Sequence, residues 1–125
     1  MSQQDKGQYA YQGLDRVFHE KARLGIMTSL FTHTAGYTFN ELKELCDLTD
    51  GNLSRHIQLL KEEGYVEVIK SFYKNKPLTL CKMTALGRDK FKEYMSELER
   101  VLKDALKGES KLSIDGKQNT GFSPA

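Results

Sequence analysis

Hydrophobic and polar positions switch from a helical to a strand period at Gly64. Before it, Leu53, Ile57 and Leu60 fall at i, i+4 and i+7. Thr49 precedes them with a hydroxyl suited to an N-cap. Gly64 stands where a helix ends most easily in a left-handed residue. After it, Tyr65, Val66, Val68, Ile69 and Phe72 read as a strand rich in β-branched and aromatic side chains. The stretch Ser71 to Pro77 interrupts that pattern and predicts a hairpin tip, since Pro77 cannot donate to a ladder. Leu78, Leu80 and Met83 then mark a returning strand, Leu78 to Met83.

The same periodicities divide the rest of the chain. Leu14, Val17, Phe18, Ala22, Ile26, Met27 and Leu30 predict a first helix from Leu14 to about Phe31, with Asp15 favouring its start. Gly36 marks a turn, Thr38 and Phe39 a short strand, and Asn40 the cap of a short helix, Glu41 to Cys46, with Leu42 and Leu45 inward. Asp47, Leu48 and Thr49 join it to the next helix, the spacing of a helix-turn-helix unit. Thr84 caps a long helix from Ala85 to about Leu106, whose apolar stripe runs from Leu86 through Phe91, Tyr94, Leu98 and Leu102. Three regions follow: a loose polar arm at 1–13, a folded domain at 14–107, and a disordered tail at 108–125.

The helix before Gly64 has a polar face with chemical content. At about 100° per residue, Gly51, Arg55, Gln58 and Glu62 point away from the apolar stripe. Asn52 and Leu59 lie on one shoulder, Ser54 and Lys61 on the other. Arginine suits a bidentate contact to guanine, and glutamine or asparagine to adenine. A merely solvated face carries the same residue types.

Composition narrows the classes. With 125 residues there is one modest core, and the net charge of +2 says little about a polyanionic partner. Distribution says more. Between Val66 and Lys92 stand Lys70, Lys74, Lys76, Lys82, Arg88, Lys90 and Lys92, against Glu67 and Asp89. A basic segment beside a reading helix is an electrostatic footprint for phosphates. No apolar run is long enough to span a membrane, and no signal-peptide pattern opens the chain. Two cysteines, Cys46 and Cys81, make no disulfide framework, so a cytoplasmic location is expected.

Residues from about Leu14 to Leu102, seven tenths of the chain, resemble winged-helix transcriptional regulators of the MarR/ArsR-like class. The resemblance is nearest to the small stand-alone winged helix DNA-binding domain subgroup. It is carried by His19-Glu-Lys-Ala-Arg23, Phe39-Asn-Glu-Leu-Lys43, Leu48-Thr-Asp-Gly-Asn-Leu-Ser-Arg-His-Ile57, Leu60-Lys-Glu-Glu-Gly-Tyr-Val-Glu-Val68 and Leu80-Cys-Lys-Met-Thr-Ala-Leu-Gly87. The implied fold is mainly α with a small β-hairpin (α+β): a winged helix-turn-helix with a three-helix core, a wing and a long C-terminal helix. In such a fold Thr49, Asp50, Asn52, Ser54, Arg55 and Gln58 fall where the reading helix and its entry turn meet double-stranded DNA. Lys74, Asn75 and Lys76 fall at the wing tip. Leu59 and Glu62 depart from the pattern, one apolar where relatives are polar and one opposing phosphate.

Two further expectations concern partners. The last helix keeps its stripe beyond what so small a core can receive, which favours a homodimer through the first and last helices over packing within one chain. A two-fold dimer would read a palindromic operator. Cys46-Asp47-Leu48 superficially resembles part of a metal-sensing cysteine box, but no close ligand spacing joins the cysteines to His19, His33 or His56. No cofactor is expected, and the small-molecule effector is unknown. A metal- or redox-responsive repressor and a protein-interaction winged helix without DNA binding remain the alternatives. No nucleophile elbow, P-loop, dinucleotide fingerprint or zinc-protease motif points to an enzyme.

Overall fold

The computed structural model describes residues 6–114. The elements run α1 (Lys21–Thr32), β1 (Tyr37–Thr38), α2 (Phe39–Cys46), α3 (Asp50–Glu62), β2 (Val66–Tyr73), β3 (Lys76–Met83) and α4 (Ala85–Ile114). The strands make one antiparallel sheet in the order β1-β3-β2. This is the expected α+β architecture: helices, a hairpin and a long last helix.

The first helix begins at Lys21, not at Leu14. Glu20 caps it, its carboxylate accepting from the Arg23 N–H at 2.8 Å. Upstream, the Asp15 carboxylate accepts from the Val17 N–H at 2.9 Å and folds the chain into turns. The apolar spacing of this stretch records the docking of those turns. Phe18 is fully buried, its ring 4.9 Å from Tyr65, 5.3 Å from Phe91 and 5.7 Å from Tyr94.

Helix α2 is capped by Thr38 rather than Asn40. Thr38 Oγ1 accepts from the Glu41 N–H at 3.1 Å while the Glu41 carboxylate accepts from the Thr38 N–H at 2.8 Å. This capping box draws Phe39 out of the strand and into the first helical turn. Leu42 is fully buried, but Leu45 is 57% exposed, contrary to expectation. Eight residues give one inward row, Phe39, Leu42 and Cys46, and Leu45 lies off it.

Helix α3 follows the predicted pattern. Thr49 accepts from the Asn52 N–H at 3.2 Å. At the far end the Gly64 N–H donates to Lys61 O at 3.0 Å and the Tyr65 N–H to Leu60 O at 3.0 Å. Gly64 has φ +86°, so this is a Schellman stop that turns the chain into β2.

The hairpin is longer than the sequence pattern suggests. Pairing continues to Tyr73 opposite Lys76, leaving Lys74 and Asn75 as a two-residue tip. Their φ values of 52° and 65° match a type I′ turn, whose twist suits the flanking strands. Pro77 is tolerated because β1 reaches only Leu80 and Cys81, so β3 has an open side there. The residue of β3 in the core is Cys81, opposite Val68, with Met83 opposite Val66 on the same face. Leu78 and Leu80 point the other way. Apolar residues of both parities hide this choice from the sequence, and pairing with β2 decides it.

Thr84 Oγ1 accepts from the Gly87 N–H at 2.9 Å and donates to Gly64 O at 2.7 Å, tying the start of α4 to the end of α3. Phe91 and Tyr94 enter the core. Arg88 donates to Phe31 O at 2.9 Å, with its guanidinium 4.1 Å from the Phe31 ring centre. Helix α4 passes Gly108, the expected stop, and continues to Ile114, the last of the described residues. A helical glycine costs about 1 kcal/mol, too little to end a helix when nothing redirects the chain. Tyr11 donates to the Asp104 carboxylate at 2.8 Å and the Gly13 N–H to Glu97 at 3.0 Å, so these arm residues lie on α4. The tail from 115 onward lies outside the described residues.

Candidate nucleic-acid interface

Helix α3 is divided by its own periodicity. Leu53, His56, Ile57 and Leu60 are buried, while Asp50, Gly51, Asn52, Ser54, Arg55 and Gln58 are exposed. A methyl group built on Gly51 would meet nothing within 4 Å, so the first turn is open to close approach. The Arg55 guanidinium donates to Asn52 Oδ1 at 3.0 Å, and the Gln58 amide donates to the Glu62 carboxylate at 3.0 Å. Glu62 thus engages Gln58 along the same face. Asp50 meets Lys43 of α2 at 2.9 Å, and that hydrogen bond holds the lysine above its ordinary range. Thr49 spends its hydroxyl on capping. Leu59 is half-buried.

Lys74, Asn75 and Lys76 are all exposed at the end of the hairpin that α3 runs into. Lys74 and Asn75 form the tip itself, and Lys76 is the first residue of β3. Lys74 Nζ sits 5.3 Å from the Tyr73 ring centre. The structure therefore brings Asn52, Arg55 and Gln58 onto one helix face and sets a basic β finger next in the chain.

Beneath α3 lies a polar layer that periodicity alone does not single out. His56 is 9% exposed. Its Nδ1 is 3.1 Å from Arg23 Nη1 and 4.0 Å from the Glu20 carboxylate. Arg23 also donates from Nε to Val17 O at 2.6 Å. Because a guanidinium only donates, His56 Nδ1 must accept, which requires the neutral ring. Burial lowers the His56 pKa, Glu20 pulls it up, and Arg23 and Arg55 push it down; the net lies below the ordinary value. Burial raises Glu20, but backbone N–H groups of Arg23 and Ala22 and the charges of His56 and Arg23 bring it below its ordinary value. The clue in the sequence was Arg23 itself, one helical turn before the buried Met27 and so on the inward side of α1.

The cysteines are separate. Cys46 is half-buried, its Sγ 3.9 Å from Ser29 Oγ, on an open groove of about 900 Å³ between α1 and the turn into α3. Cys81 is fully buried in the sheet, where burial pushes its thiol up to about 11. Among the described residues no helix is long and apolar enough to cross a membrane.

The family model for the winged helix DNA-binding domain matches residues 22–102, from α1 through the wing into α4. The chain belongs to that family. An uncharacterized protein of Methanocaldococcus jannaschii is 38% identical over 89 residues, covering 71% of this chain and 96% of that protein. The solved transcriptional regulator homologue from Pyrococcus horikoshii is 30% identical, with a TM-score of 0.69 over 73% of this chain and 89% of that one. MepR of S. aureus, solved in complex with DNA, is 14% identical with a TM-score of 0.64 over 90% of this chain and 91% of MepR, a likeness of fold alone. These findings agree with the resemblance to winged-helix regulators of the MarR/ArsR-like class, and this winged helix is a DNA-binding transcriptional regulator.

Proposed function

We propose that this winged helix is a sequence-specific regulator that binds a palindromic operator as a homodimer. The observation that carries the reading is the exposed row Asn52, Arg55 and Gln58 on a helix whose opposite face is buried, followed directly by a lysine-tipped hairpin. Arg55 and Gln58 read base edges in the major groove, assisted by Asn52 and Ser54. Thr49 and Asp50 lie at the entry turn, near the backbone. Lys74, Asn75 and Lys76 contribute phosphate contacts, which add affinity without sequence choice.

The dimer reading rests on α4. Leu102 and Leu106 are 54% and 47% exposed on its far half, while Phe91 and Tyr94 on its near half are buried. A second copy would cover those leucines through its own first and last helices and set two reading helices about one DNA turn apart. Selection of bound duplexes from a random-sequence pool tests the whole reading. Recovery of a dyad-symmetric site supports it; recovery of no preferred sequence rules it out.

A further inference from the structure

Beyond Leu80 the hairpin leaves the body of the protein. Strand β1 pairs only with Leu80 and Cys81, and every residue from Ile69 to Pro77 is exposed. The two strands nevertheless stay paired to the last residue before the turn. The turn places Lys74 and Asn75 at positive φ, a conformation easier for asparagine or glycine than for lysine. A cation is thus kept at the tip against the local backbone preference.

The side chains just behind that tip are unusual for a solvated ribbon. Phe72 is 73% exposed and stands directly across from Pro77 on one face. Tyr73 is 62% exposed on the other, beside Lys74 and opposite Lys76. Lys70 shares the Phe72 face two residues back along the strand. The result is an apolar corner of phenylalanine and proline with Lys70 behind it on the same face, and Lys74 and Lys76 on the face of Tyr73.

We propose that the Phe72–Pro77 corner is a wedge that enters the minor groove of duplex DNA and partly unstacks a base step flanking the segment read by α3. Phenylalanine and proline are among the side chains that pry base steps apart, and such insertion kinks the duplex. Lys70 on the face of that corner, and Lys74 and Lys76 on the Tyr73 face, supply the complementary charge for the phosphates on either side of the groove. The inference rests on the DNA-binding reading above and adds a consequence that phosphate contacts alone do not give. Steps that unstack easily, such as TA and CA, are favoured at the wing position, and stiff A-tracts are disfavoured.

The test uses the full chain and duplexes selected by it from a random pool, with the wing-facing step rebuilt as TA or as AA. A 2-aminopurine beside that step reports unstacking. The wild type is expected to bind the TA form about tenfold more tightly and to raise the 2-aminopurine fluorescence. Phe72→Ala is expected to lose both effects while keeping the core sequence preference, and Phe72→Leu to retain them. Wild-type binding with neither flank preference nor fluorescence change overturns the wedge alone. So does a Phe72→Ala protein with wild-type values, which would leave the aromatic tip to a protein partner. Absence of duplex binding overturns the DNA-reading proposal as well.

Discussion

Arg23 of α1 and His56 of α3 meet at 3.1 Å on the hidden side of the reading helix, with the arginine donating to an unprotonated imidazole nitrogen. This contact, together with the Arg23 bond to Val17 O, sets α3 against α1 through polar as well as apolar packing. It also makes the seating of α3 sensitive to protons.

The folded pKa of His56 lies below its ordinary value of 6.5, first because of burial, so the unfolded chain binds that proton more readily. The stability contributed by neutral His56 is complete above that ordinary value and is lost as pH falls through the lower folded one. Glu20 acts in a separate, more acidic window, because its carboxyl is lowered from 4.5 and its contribution fades only as pH falls below that. The melting temperature should hold steady between about pH 8 and pH 7 and decline below about pH 6.5. His56→Gln should flatten the decline above pH 5 while Glu20 still titrates below it. Equal slopes in the two proteins would remove His56 from this role.

A second prediction concerns the joint between the hairpin and α4. A methyl group at Gly87 would overlap the Tyr65 carbonyl oxygen and lie 2.9 Å from Tyr65 Cα. The Tyr65 backbone cannot yield easily, since its N–H donates to Leu60 O at 3.0 Å and its carbonyl accepts from the Thr84 N–H at 3.1 Å. Gly87→Ala should therefore destabilise the fold by about 1–3 kcal/mol in urea unfolding. Gly108→Ala, in open space within the same helix, should raise helix stability by up to about 1 kcal/mol. Equal stability of Gly87→Ala and the wild type would mean that this joint is looser than described.

Much of this arrangement was legible in the residues. Helix α3 announced itself because Thr49, the Leu53-Ile57-Leu60 row and Gly64 all favour one conformation at successive positions. Its outer face followed from geometry. Elsewhere local signals competed. Leu14, Val17 and Phe18 keep helical spacing, yet an Asp15 side-chain bond spends the backbone on turns. Leu45 looked inward until the Thr38 cap fixed the phase of α2. The Arg23–His56 contact joins residues 33 positions apart, which no window of the sequence brings together. At the candidate interface the residue types and the face were readable; the Asn52–Arg55 and Gln58–Glu62 bonds along it were not.

The cysteines offer a third prediction. Burial raises both thiols, Cys81 to about 11 and Cys46 by a lesser extent, with the Ser29 hydroxyl acting in the opposite direction on Cys46. In the folded protein at neutral pH, maleimide should label Cys46 slowly and Cys81 only after unfolding, as read by mass spectrometry. Rapid oxidation of Cys46 by dilute peroxide, with loss of DNA binding, would instead favour a redox-responsive repressor.

A fourth prediction addresses the uncovered end of α4. Leu102→Glu with Leu106→Glu should convert a dimer into a monomer in sedimentation experiments, with little loss of monomer stability because both side chains are about half exposed. A wild-type chain that sediments as a monomer at micromolar concentration would contradict the dimer.

The central claim is that the outer face of α3 chooses the sequence while the lysines of the hairpin supply affinity. Fluorescence anisotropy of a selected duplex and a scrambled one, followed across salt concentration, tests it most directly. Log affinity should fall linearly with log salt for the wild type. Arg55→Ala should reduce the ratio of selected to scrambled binding by about tenfold or more, and Lys74→Ala with Lys76→Ala should weaken both duplexes alike and lower the salt slope by about two. Salt-independent binding, or an Arg55→Ala protein that discriminates as well as the wild type, would contradict the account.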